Sequence, residues 1–369
     1  MLALLGFGIA VAFWPGMAGA EDSSKWVAAF VLLPSALFFV RIKPNVTHWV
    51  GLSLLAWADL SLMWTTVLDD GVAGMIRLVV IAVAFLVGNG NEDLRPLYRW
   101  FGLGLWLSSV LAIFQWFGYQ PVVTMVGDVN PPGLFVNPDL LGEISVLVIV
   151  GLIADRSWWI AAGVVPGLLL SQSRAAALAL VICGALYAVR RWKWPTLIGI
   201  PVLAAVLYAF ASNKWLQEPF GGERWLLWRE TIHGIAAQPW WGYGVGSFYS
   251  TFPKFDTGLD WWQMTWHAHN DVLEFAFELG IPAALIALGL MAALWRRAYE
   301  RERLVLIAFA VTATFGFPLH SGATAVLFGL VAGHAARGWD GVGVRELLGG
   351  LALYQRHSGA GLLSTGSSG

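Results

Sequence analysis

Apolar residues run along this chain in long blocks broken by short polar interruptions. About twelve blocks approach the length that spans ~30 Å of hydrocarbon as a helix, at 2–19, 26–40, 48–67, 72–88, 98–118, 138–154, 157–171, 174–189, 195–211, 270–295, 303–318 and 320–336. The expected fold is an all-α polytopic membrane protein, because backbone groups in lipid must be satisfied inside the segment that carries them. The first block lacks a basic leading region, so it reads as a retained helix although MAGAED resembles a cleavage site. One connection stands out by length, from Ser212 to Ala268, and loops of that size usually carry function. Within it, Trp225, Leu226, Trp228, Ile232 and Ile235 recur at helical spacing between Arg224, Arg229 and Glu230. This pattern predicts an amphipathic helix from Glu223 to Ala236 lying on the membrane surface.

Composition agrees. The 369 residues are 58% hydrophobic and 12% charged, about half the charged share of a water-soluble domain. The 22 tryptophans suit the membrane–water interface. One cysteine, Cys183, sits in an apolar run and excludes a disulfide framework or a cysteine-based metal site. Lysine and arginine fall mainly in alternate connections: Arg41 with Lys43, Arg95 with Arg99, Arg156, Arg190 to Lys193, Arg296 to Arg303, and the tail. That side is expected to be cytoplasmic, with both termini inside and 212–268 outside. The domain reading is one transmembrane unit over 1–337 and a short cytoplasmic tail over 338–369. Arg77 and Arg174 depart from the pattern, lying in or at the outer end of apolar blocks where a cation faces protein or a wet cavity.

The polar chemistry concentrates in TWHAHNDVLEFAFELG, residues 265–280. Asn270 suits a helix N-cap and Asp271 a first turn. Asn270, Glu274 and Glu278 are spaced by four and share a stripe expected to face a cavity, with His269 at its rim. His267 and His269 with Asp271 form a weak zinc pattern, and no metal is expected. Upstream, QPWWGYGVGSF breaks the amphipathic helix at Pro239 and frees the backbone at Gly242, Gly244 and Gly246. It follows no strand and lacks a P-loop lysine, so nucleotide binding is not expected.

Together RWLLW, QPWWGYGVGSF and HAHNDVLEFAFELGIPAALIAL resemble the signature region of the O-antigen ligase/O-antigen polymerase superfamily. GLFVNPDLLG resembles its G-x-F-x-N-P-N element, SQSRAA its S-R-x-A helix start, and FPLHSGATAVLFGLVAG the pattern near its C-terminus. Asp139 stands where asparagine is usual, Pro131-Pro132 where a basic residue often precedes, and Gly316 where an aspartate is often found.

The resemblance implies an inverting, metal-independent glycosyltransferase of the GT-C type in a bacterial inner membrane, with no cofactor. It would move a glycan from undecaprenyl diphosphate to an acceptor hydroxyl at the periplasmic face. By the same resemblance His269 is the general base and His267 its reserve. Arg174, Arg224 and Arg77 suit the donor diphosphate, because a guanidinium fork binds phosphate bidentately. Asn270, Glu274, Glu278 and His320 would support them. The acceptor stays open among lipid A-core, which a ligase uses, a second lipid-linked repeat, which a polymerase uses, and a protein hydroxyl; the absence of an appended periplasmic domain favours the ligase-like case. A flippase of lipid-linked sugars is the rival from another class, and the scarcity of charge in the inner halves of the blocks argues against it.

Overall fold

In the computed structural model, residues 1–14, 23–120, 130–192, 222–256 and 266–339 are described. The expected span 195–211, the ends of the long connection, and the tail beyond 339 lie outside them. Among the described residues the structure is all-helical, in keeping with backbone groups that must pair locally. In chain order the helices are α1 (Leu2–Val11), α2 (Ser23–Leu37), α3 (Val46–Ser61), α4 (Leu68–Gly90), α5 (Arg95–Trp116), α6 (Pro138–Ala154) and α7 (Trp158–Ser171). They continue as α8 (Arg174–Trp192), α9 (Gly222–Ala237), α10 (Phe248–Thr251), α11 (Asp271–Leu279), α12 (Ile281–Arg297), α13 (Glu300–Phe315) and α14 (Gly322–Ala336). Helices α4 and α5 are long and apolar enough to cross a membrane, and α1, α2, α7 and α14 are apolar but shorter.

The centre of the molecule is built by α6 and α14, which are buried along nearly their whole length. Helix α14 lies against α4 along a seam of small residues. A Cβ at Gly88 would overlap the Leu330 carbonyl, and one at Gly333 the Phe85 carbonyl, so backbone meets backbone as in membrane helix pairs. Around this centre α5 packs on α1 and α7, while α13 packs on α6 and α8. Large apolar side chains point outward, with Phe38 89% and Met63 82% exposed; an apolar exterior of this kind suits lipid.

One expected block divides. The 270–295 segment is two helices, α11 and α12, parted at Gly280, whose φ of 85° is left-handed. Pro282 opens the second helix, where it costs no hydrogen bond, and the Ile281 amide bonds the Pro239 carbonyl at 2.8 Å. That bond belongs to a zipper. Tyr243 and Gly244 donate to the carbonyls of Phe277 and Glu278 at 3.1 and 2.9 Å. A Cβ on Gly242, at φ 65°, would overlap the Glu278 carbonyl. The glycine-rich turn therefore closes the end of α11.

The ends of α4, α6, α13 and α14 away from α11 carry a second polar set. Arg301 bonds buried Glu302 at 2.8 Å and lies 3.7 Å from Asp155, which Arg99 meets at 3.3 Å. Arg337 donates to the Asn89 carbonyl at 2.8 Å.

Candidate active site

Four segments converge at the start of α11. The expected cap forms: the Asn270 side chain accepts from the amides of Val272 and Leu273, both at 3.0 Å. This turns Asn270 to its own helix end, and the carboxylates that face the neighbouring cavity are those of Asp271, Glu274 and Glu278. All three are buried. Glu274 organises the surroundings. Its Oε2 accepts from the Ala268 amide at 2.8 Å, and its Oε1 lies 2.9 Å from His267 Nδ1 and 3.2 Å from His320 Nε2. Asp271 Oδ2 accepts from the Leu319 amide at 3.0 Å. Glu278 Oε1 accepts from the Phe248 amide at 3.1 Å, fastening α10 to α11. The cavity holds about 310 Å³, and Arg77 of α4 and the pair Tyr249–Trp266 line its far wall. The two rings stack at 4.1 Å and 6°.

His269 is elsewhere than expected. It does not line this cavity. Its backbone is left-handed at φ 50°, a conformation uncommon for a residue with a side chain and one found at sites where other contacts fix it. Phe317 stands between the histidines: His267 stacks on it at 5.0 Å and His269 meets it at 79° with centroids 4.9 Å apart. Burial first, then the charges of Arg224 and His267, push the His269 imidazole down to about 3. His320 is held well below its ordinary value, by burial first and then by His267 and Arg77. The His269 ring is therefore neutral at neutral pH, and its Nδ1 is buried without a hydrogen-bond partner among the described residues.

Arg224 reaches this second face. From α9 it donates to the Phe315 carbonyl at 2.8 Å and lies 3.7 Å from Asp139. Asp139 is set by the cap of α6, where the Asn137 side chain accepts its amide at 2.8 Å. Helix α9 forms as expected, but its buried stripe runs through Leu227, Glu230, Thr231 and Ile235, while Trp225 and Ile232 point outward. The sequence pattern marked apolar residues and not the protein-facing side, because lipid-facing positions are apolar too. Trp228 Nε1 donates to the Ala268 carbonyl at 3.0 Å, tying α9 to the histidine loop. Arg174 opens α8 just after a turn at Ser171–Ser173 that packs on Gly142 of α6, and it does not line the cavity. The nine expected site residues thus divide. Arg77, His267, Glu274, Glu278 and His320 share the cavity, while Arg224 and His269 lie beyond Phe317, Asn270 caps α11 and Arg174 stands at the head of α8.

One site residue escaped the sequence reading. Glu143 is buried within the apolar helix α6, and its carboxylate fills the space beside Gly316 that a side chain there would need. The signal was a lone glutamate inside a membrane-type segment, which is costly without a use.

Residues 159–288 match the O-antigen ligase family. The match supports the O-antigen ligase/polymerase superfamily drawn from the motifs, and it spans Arg174, Arg224, the glycine turn and the whole of α11. No curated protein matches the chain. Arg77, Asp139 and His320 lie outside the matched O-antigen ligase segment, yet pack against it.

Proposed function

We propose that this protein transfers a glycan from undecaprenyl diphosphate to an acceptor hydroxyl at the periplasmic face of the inner membrane, as an O-antigen ligase acting on lipid A-core. The observation that carries the reading is the Arg224–Asp139 pair, whose arginine charge also acts on His269, inside and beside a segment that matches the O-antigen ligase family. An anion has reason to come here. Arg224 and Asp139 are each about a third exposed (32% and 35%) at 3.7 Å, a long ion pair of little strength that a diphosphate displaces readily. Arg174 at the head of α8 adds cationic charge, and Arg77, within α4, does so from the neighbouring cavity.

The chemistry follows from charge. The acceptor oxygen forms a bond to the anomeric carbon as the bond to the diphosphate oxygen breaks, and the electron pair leaves with the diphosphate. Attack from the face opposite the leaving group inverts the anomeric centre and needs no metal. His269 takes the acceptor's proton; its neutral ring is ready to do so. Diphosphate binding at Arg224 offsets one of the cations that hold the imidazole down, so the base strengthens once donor is present. An apolar cavity of about 680 Å³ between α3, α4, α12, α13 and α14 adjoins the polar one at Asp271 and Leu319. It offers room for part of the isoprenoid chain.

The test is a transfer assay with the purified protein in proteoliposomes. It is given undecaprenyl-diphosphate-linked glycan and either lipid A-core or a second lipid-linked repeat. Ligase function predicts product on lipid A-core only. Lengthened lipid-linked glycan instead would make the protein a polymerase, and no product with either acceptor would contradict the reading.

A further inference from the structure

The cavity beside α11 holds three donor groups in an arrangement that glycan transfer does not require. His267 comes from the loop before α11, Glu274 from its first turn, and His320 from the short turn before α14. One ligand atom from each lies within 4.8 Å of the others. Glu274 Oε1 stands 2.9 Å from His267 Nδ1 and 3.2 Å from His320 Nε2. Zinc with bonds of about 2.0–2.1 Å in tetrahedral geometry holds its donors ~3.3 Å apart, so the two separations made by Glu274 are close to the spacing that such an ion imposes. Two imidazole nitrogens and one carboxylate are also the donor chemistry that zinc takes.

A second observation points the same way. Asp271 Oδ1 is buried, has no hydrogen-bond partner among the described residues, and lies 3.8 Å from His320 Nε2. A buried carboxylate oxygen left in this state is costly. It stands on the His320 side of the three donors, within reach of an ion held there. The row Asp271, Glu274 and Glu278 puts three buried carboxylates on a nine-residue helix, a concentration of oxygen donors that suits a divalent cation.

We propose that His267, Glu274 and His320, with Asp271 as fourth donor, bind one divalent transition metal of the zinc type. The ion joins the histidine loop, α11 and the turn before α14 into one rigid wall of the cavity. This site differs from the local pattern of His267, His269 and Asp271: His269 faces away, and the third ligand comes from His320. It does not rest on the glycan-transfer reading, in which bond exchange uses no metal.

The experiment takes the full-length protein in detergent, stripped with a chelator and dialysed. Zinc chloride is titrated by calorimetry, and cobalt chloride by visible absorption. The proposal predicts one ion per chain, the intense visible bands of tetrahedral cobalt, and a rise in Tm on zinc addition. Glu274→Gln and His320→Ala, each checked for native elution and metal-free Tm, should weaken zinc binding at least ~10-fold. His233→Ala, which alters an exposed histidine beside Glu230, should bind as the parent does. Absence of stoichiometric zinc binding by the parent protein overturns the proposal. Binding that survives both Glu274→Gln and His320→Ala overturns it as well, because the ion then sits elsewhere.

Discussion

Replacing Arg224 separates a diphosphate clamp from a structural arginine. Among the described residues its guanidinium has two protein contacts, the Phe315 carbonyl at 2.8 Å and Asp139 at 3.7 Å. The ion pair is long and about a third exposed on both sides, so losing it costs stability only ~0–1 kcal/mol. The carbonyl contact adds about 1 kcal/mol more, and Arg224→Ala should therefore fold. Function is another matter. A hydrogen bond to a charged group is worth about 1.5–3 kcal/mol, and each ~1.4 kcal/mol is a factor of ten. Donor affinity should then fall by roughly 10–150-fold. If the same contact tightens on the departing diphosphate, transfer at saturating donor should fall by about 10²–10³, as when a preorganised donor to developing negative charge is removed. Arg224→Lys keeps the charge and loses the fork, so it should recover no more than part of the loss. The assay is transfer of fluorescently labelled glycan in proteoliposomes, with donor titrated to give kcat and KM separately. A loss of only two-fold in Arg224→Ala, with native Tm and elution, would refute the clamp and leave α9 as a surface helix.

Two further outcomes follow from the fold. Gly242→Ala places a Cβ into the Glu278 carbonyl at a left-handed position, so it should destabilise by about 1–3 kcal/mol and lower Tm; an unchanged Tm would mean the glycine turn does not close α11. For topology, Cys183 is buried, so single cysteines can be read against a quiet background: Lys254→Cys should label with a membrane-impermeant maleimide added outside, and Arg296→Cys only after permeabilisation, whereas the reverse pattern would invert the orientation.

Much of this was legible because particular residues carry local rules. Asn270 before an apolar run marks a helix start, and the cap is there. Pro239 and the three glycines mark a turn, and all three have positive φ. The break at Gly280 was written in LGIP but hidden by apolarity, since lipid-like composition continues straight across it. What the sequence could not order is which polar residues share a pocket. His267 and His269 are two residues apart, yet Phe317, from a distant segment, divides them. Glu143 and Gly316 compensate for each other across 173 positions of sequence, and only packing brings them together. The buried face of α9 was hidden for a related reason: a helix between protein and lipid has two apolar sides.

The central claim is that His269 serves as the base while the arginines hold the donor. It is tested most directly by the transfer rate and donor affinity of His269→Ala in proteoliposomes, with His267→Ala beside it. The account predicts a fall of about 10²–10⁴ in kcat for His269→Ala, with donor affinity within a factor of about two of the parent protein. His269→Ala turning over at the parental rate, with or without loss in His267→Ala, would contradict it.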